Sequence, residues 1–131
     1  MPYRILFDHT NRILRALFEG RVTDDELKEV YRFGQAHVAH FDPRAGITDF
    51  SAVTTVAFSA ETIRELATST PIMQDPSRPV LFVAPTPHLY GMSRMFEMLG
   101  AESRPNLHVV RTLEEAYAVL NVQEPQFEPI R

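Results

Sequence analysis

The chain has 131 residues, 44% of them hydrophobic and 23% charged, with a formal net charge of −4. A single domain of this length can bury about two-thirds of its unfolded surface, and the absence of cysteine removes disulfides, thiol nucleophiles and cysteine-based metal sites. The acidic balance disfavours nonspecific nucleic-acid binding, no apolar run approaches the roughly 18 residues of a membrane span, and the N-terminus is charged too early for a signal peptide, so a cytoplasmic address is expected.

Tyr3 to Phe7 is apolar and β-rich, and Ile13 to Phe18 repeats that character after the turn-forming Asp8-His9-Thr10-Asn11. The two segments predict a hairpin ending at Gly20. Thr23-Asp24-Asp25-Glu26 is a capping box, in which the Thr23 hydroxyl accepts from the Glu26 N–H and the Glu26 side chain reaches back. Leu27, Val30, Tyr31, Gly34 and Val38 then share one helical face, and the helix should stop before Asp42-Pro43. A short strand is expected over Ala45 to Phe50. Ser59 is the next cap, followed by a short amphipathic helix carrying Ile63, Leu66 and Ala67. Prolines 71, 76 and 79 make residues 70–79 a loop. Val80 to Ala84 is continuously apolar, as a central parallel strand would be.

Thr86-Pro87 begins a helix that Gly100 ends. Leu107 to Arg111 is a strand, and Thr112-Leu113-Glu114-Glu115 opens a last helix with Leu113, Ala116, Tyr117 and Leu120 on its apolar face. The resulting expectation is an α/β domain over residues 1–122. It has a single mixed sheet of four to five strands, an N-terminal hairpin followed by alternating βα units, and about four helices. The tail, 123–131, holds two prolines and is expected to be flexible or loosely docked.

Four motifs carry a family resemblance: Gly20-Arg21-Val22-Thr23 entering the first helix, Asp49-Phe50-Ser51 at the third strand, Tyr90-Gly91-Met92-Ser93-Arg94-Met95-Phe96 in the third helix, and Thr112-Leu113-Glu114-Glu115-Ala116 at the last. With these, the chain from about Tyr3 to Leu120 resembles the SpoIIAA-like, or STAS-like, family, related in fold to the anti-sigma-factor antagonists of bacterial partner-switching systems. The resemblance implies a four- or five-stranded mixed sheet with about four helices. In the antagonists an Asp-Ser-Ser-Gly motif follows the strand, and its second serine is phosphorylated by a partner kinase. Laid on this chain, the motif becomes Ala57-Phe58-Ser59-Ala60. Ser59 is thereby the candidate phosphorylation residue, and its alternative role is that of a plain helix cap.

Met92, Met95, Phe96 and Leu99 form one face of the third helix, widened by Leu89 and Met98, with Tyr90 adding an aromatic. Methionine suits irregular or changeable surfaces. Phe58, Ile63, Leu66, Ile72 and Met73 are the expected opposite wall of an apolar groove between the second and third helices, with the 70–79 loop as its lip. Plain core packing is the alternative. Arg94 is the candidate holder of a carboxylate or phosphate head group, or else a surface partner of Glu97. His37 and His40 share a helical face beside Asp42, but no fourth ligand stands at a metal-site spacing, so no metal is expected. There is no Gly-x-Ser-x-Gly turn, no phosphate loop and no dinucleotide fingerprint. No catalytic residue or cofactor is therefore assigned.

The first expectation is a non-enzymatic binding module taking an apolar, lipid-like or amphipathic ligand, or a membrane-associated partner, in that groove. The second is a regulatory protein–protein switch acting through the surface around Ser59, with a homodimer among its forms. Any membrane contact would be peripheral.

Overall fold

The computed structural model describes residues 2–131, and its secondary structure follows the expected order with one addition. Strand β1 (Tyr3–Asp8) and strand β2 (Ile13–Thr23) form the hairpin. Helix α1 (Asp24–Phe41), strand β3 (Ala45–Ala57), helix α2 (Ala60–Ala67), strand β4 (Val80–Val83), helix α3 (Pro87–Leu99), strand β5 (Leu107–Val110) and helix α4 (Leu113–Leu120) follow, and a two-residue strand β6 (Glu128–Pro129) closes the chain.

Each helix begins where a hydroxyl can accept from an otherwise free N–H. Thr23 accepts from Glu26, Ser59 from Thr62, Thr86 from Leu89 and Thr112 from Glu115. At the first cap the Thr23 hydroxyl also donates to Glu26 Oε1, 2.7 Å away, so the Glu26 side chain meets that hydroxyl rather than the Thr23 backbone. Helix α1 ends on Asp42, which takes a left-handed φ of 46° before Pro43. The Asp42 backbone carbonyl accepts from Arg12, and its carboxylate pairs with Arg12 and Arg78. Arg78 donates to the carboxylate at 2.6 Å and holds it below the usual range.

The sheet order is β5-β4-β3-β2-β1-β6. Strands β2, β3, β4 and β5 run parallel, and β1 lies antiparallel to both of its neighbours. The sheet is mixed, as expected, but has six strands rather than four to five. The extra one comes from the tail: Glu128 and Pro129 pair with Phe7 and Leu6, so residues 128–129 are docked at the edge. Strand β3 is also longer than the expected segment ending at Phe50. It continues to Ala57, paired with β2 through two shifts of register.

The sheet buries both faces, unequally. One face carries Tyr3, Ile5, Phe18 and Phe50 under α1, α2 and α3, which add Leu27, Val30, Ile63 and Phe96. Rings stack across it in sequence: Phe18 on Phe50 at 5.3 Å, Phe50 edge-on to Phe82 at 6.1 Å, Phe82 on Phe96 at 5.1 Å. Such pairs add about 1 kcal/mol each beyond area burial. The opposite face carries Ile13, Ala45, Ile47, Leu81 and Val83 under α4 and the tail residue Phe127. No helix among the described residues is long and apolar enough to cross a membrane.

Candidate functional site

Helix α1 does not close fully onto the sheet. Between them lies a cavity of about 150 Å³. Its floor is Ala16, Phe18, Gly46 and Thr48, small or flat residues that leave depth below the helix. Its roof is Leu27, Val30, Phe33 and Gly34 of α1, its side wall Ile63, Leu66 and Phe96, and its mouth Pro71, Ile72 and Met73 of the 70–79 loop.

Gly34 is what seats the loop. A Cβ there would stand 2.5 Å from Ile72 Cδ1, so the missing side chain makes the notch into which Ile72 fits. The Tyr31 hydroxyl donates to the Thr70 carbonyl, and the Gln35 amide donates to the same oxygen at 3.2 Å. Thus α1 holds the loop by one apolar notch and one shared carbonyl.

One end of the cavity is polar. Arg104 is buried, 7% exposed, and lines it. Its guanidinium donates to the carbonyls of Ala67 at 2.6 Å, Leu66 at 3.0 Å and Ser69 at 3.1 Å, and to the Tyr31 hydroxyl at 2.8 Å. It also lies 4.9 Å from the Phe96 ring centre. Helix α2 ends at Ala67, so the cation sits where the last carbonyls and the negative end of the helix dipole favour it. No carboxylate pairs with it among the described residues.

The expected groove between α2 and α3 is displaced. These two helices pack against each other, and the open volume lies under α1 instead. Of the ligand candidates, Ile63, Leu66, Ile72, Met73 and Phe96 line it; Phe58, Tyr90, Met92, Arg94 and Met95 do not. Phe58 is buried and stacked 6.1 Å from Phe50. Met92 and Met95 are half-buried against the core. Tyr90 lies under the Arg111 guanidinium at 4.2 Å. Arg94 is exposed and pairs with Glu97 at 2.7 Å. The arginine at the cavity is Arg104, which the sequence presents only as part of a short Ser-Arg-Pro loop, with no periodic signal to mark it.

Ser59 is exposed at the start of α2. Its backbone N–H donates to Asp24 at 2.7 Å, and its hydroxyl lies 3.3 Å from each Asp24 carboxylate oxygen. The Ser59 N–H holds the Asp24 carboxyl below the usual range against the opposing effect of burial, with Thr62, the Ser59 hydroxyl and Lys28 assisting. The starts of α1 and α2 are therefore tied together at this serine. His37 and His40 are exposed, the first tilted against Phe33 at 4.3 Å and the second edge-on to Phe41 at 4.9 Å.

On the other face, Asp49 is fully buried and pairs with Arg15 at 2.6 Å, while its second oxygen accepts from the Ser51 N–H. Arg15 lies 5.0 Å from the Phe127 ring centre. Asp8 is also fully buried. Burial alone would raise its carboxyl, but the Asn11 side chain and the backbone N–H groups of Asn11, Thr10 and Gln126 outweigh that and hold it below the usual range.

No protein-family model matches the sequence, and no curated protein matches it. The fold is similar to that of the Bacillus cell fate determinant SpoIIAA in its phosphorylated form, with a TM-score of 0.59 and 13% identity over 90% of this chain and 98% of that one. The chain therefore has the SpoIIAA-like, or STAS-like, fold.

Proposed function

We propose that this protein is a non-enzymatic binding module that takes a small apolar or amphipathic molecule in the cavity under α1. The observation that carries the reading is the pairing of an apolar chamber of about 150 Å³ with a single cationic end at Arg104. The lining is predominantly aliphatic and aromatic, which favours an apolar guest. It is smaller than most ligand pockets, so it suits a short chain or one ring rather than a full-length lipid. A carboxylate on the guest would be drawn to the Arg104 end. The 70–79 loop, held at Gly34 and Thr70, is the door.

The test compares native and denaturing mass spectrometry of the purified protein, followed by titration with short-chain carboxylates such as hexanoate. A mass surplus lost on denaturation, or a saturable rise in melting temperature that Leu66→Trp abolishes, supports the reading. A bare mass together with no carboxylate-dependent rise overturns it.

A second reading, a regulatory switch of the kind found in fold-related antagonists, is favoured by the place of Ser59. A phosphate there adds up to about two negative charges within contact of the Asp24 carboxylate. Repulsion would part the starts of α1 and α2, two of the helices that bound the cavity. Phosphopeptide mapping checks it: phosphate on Ser59 supports the switch, and its absence under every growth condition removes it.

A further inference from the structure

Strand β3 outruns its outer neighbour. Strand β4 pairs only with Gly46 to Asp49, whereas β3 continues to Ala57. Beyond Asp49 it has β2 on one side and, among the described residues, no strand on the other. Ala52, Thr54 and Thr55 are exposed there, and Val53, Val56 and Ala57 are half-buried. Such an edge presents unpaired N–H and C=O groups, a template for another strand. Natural edges are commonly blunted by charge or proline. Residues 51–57 contain neither. The one blunting device present is irregular register: Gly20 pairs with Val53 and Arg21 with Thr55, leaving Thr54 without a partner on β2.

The hexapeptide Ala52-Val53-Thr54-Thr55-Val56-Ala57 reads the same in both directions. Antiparallel pairing about a two-fold axis at its centre therefore sets alanine against alanine, valine against valine and threonine against threonine, a match that a second copy of this chain supplies by itself. We infer that β3 pairs antiparallel with β3 of a second copy of this chain, about an axis between Thr54 and Thr55.

In that register Ala52 faces the partner's Ala57, Val53 the partner's Val56, and Thr54 the partner's Thr55. Like β-branched residues then meet directly, and threonine hydroxyls can bond across the strands. The stretch carries no charge, so no like-charge pair is brought together by the symmetry. Pro85, Thr86 and Pro87, which follow β4, are exposed and leave this edge uncovered. A pairing of six residues buries less than the roughly 1,200 Å² of a stable interface. The dimer is therefore weak and concentration-dependent. The inference is independent of the cavity, which lies under α1, and stands or falls apart from it.

Sedimentation velocity from about 1 μM to about 500 μM, a range matched to micromolar affinities, reads the association. The expected result is a monomer at the low end and a dimer at the high end. Thr54→Lys with Thr55→Lys sets like charges opposite one another twice, and weakens the dimer by about tenfold or more; Thr54→Glu with Thr55→Glu does the same. An equimolar mixture of the two double variants restores a heterodimer, because each lysine then faces a glutamate. Circular dichroism checks that the sheet persists. If a double variant loses it, the singly substituted Thr54→Lys and Thr55→Glu proteins repeat the mixing with one cross-strand ion pair. A monomer at every concentration, a dimer indifferent to both double variants, or a mixture no tighter than its components overturns the inference.

Discussion

Arg104 shows how one side chain can organise several elements without an ion pair. Burying a guanidinium is costly unless its donors are matched. Here the match comes from the end of α2, where the carbonyls of Ala67 and Ser69 and that of Leu66, which the Ser69 hydroxyl also reaches, face the guanidinium, and from Tyr31 on α1. The same residue therefore caps one helix, steadies another and closes the cavity. Arg104→Lys keeps the charge but loses the planar fork, so one ammonium cannot reach all four acceptors. Two or more buried bonds should be lost, at about 2 kcal/mol in total. Urea unfolding of the variant measures this; stability equal to the parent protein would mean that the carbonyls do not depend on the arginine. The substitution also changes the polar end of the chamber, so any carboxylate-dependent rise in melting temperature should shrink with it.

At the scale of elements, the contact between α1 and the 70–79 loop sets how open the chamber is. Alanine is favoured over glycine within a helix by about 1 kcal/mol, yet Gly34 stands in mid-helix. The reason is Ile72, whose Cδ1 would lie 2.5 Å from an added Cβ and whose two Cγ atoms would lie at 3.2 Å. Gly34→Ala should therefore unseat Ile72 and speed amide exchange across residues 70–79. Ile72→Val removes the offending Cδ1. In the double variant the helix gain should reappear, giving a favourable coupling of about 1 kcal/mol. Strict additivity in the double-mutant cycle would show that the notch does not hold the loop.

The same scale shows why some of the structure was legible in the chain and some was not. All four helix starts were, because a cap needs only a hydroxyl and an N–H within three residues. The end of α1 was legible for the same local reason, Pro43. The length of β3 was not, since Ser51 to Ala57 lacks the alternation of a half-buried strand while one of its edges stays open. The chamber's place was not legible either. It depends on Ala16, Gly34 and Gly46 meeting from three separate elements, and no local pattern records a shortage of volume between distant segments. The Met92–Phe96 stripe announced an apolar face correctly but could not say that α2 and the sheet would cover it.

For the molecule as a whole, the two faces of the sheet are protected by different means. Three helices cover one, and the eight-residue α4 with the C-terminal segment covers the other. That segment's two prolines predict flexibility or loose docking. Yet Ile130 donates to the Ile5 carbonyl, Phe127 stacks 6.5 Å from Tyr117, and the same Phe127 ring lies 5.0 Å from Arg15, the partner of buried Asp49. Deleting residues 123–131 should leave the fold intact, since β6 is a two-residue edge strand. It should nevertheless cost about 2–3 kcal/mol, from the loss of one half-buried aromatic and the strand bonds. Water would then reach the Arg15–Asp49 pair, and the truncated protein's stability should fall with added salt more than the full chain's. Tyr117 gives an independent readout. Burial raises its phenol above the ordinary 10.0, with Asp49, Glu114 and Asp8 adding to that and Arg15 opposing it. Uncovering the ring relieves the largest of these effects, so in a Tyr3→Phe background, which removes the phenol that Arg131 lowers, the alkaline limb of the tyrosine absorbance titration should move to lower pH. Parent-like stability and an unmoved titration together would mean that the tail rests on the sheet without protecting it, and that α4 alone shields the second face.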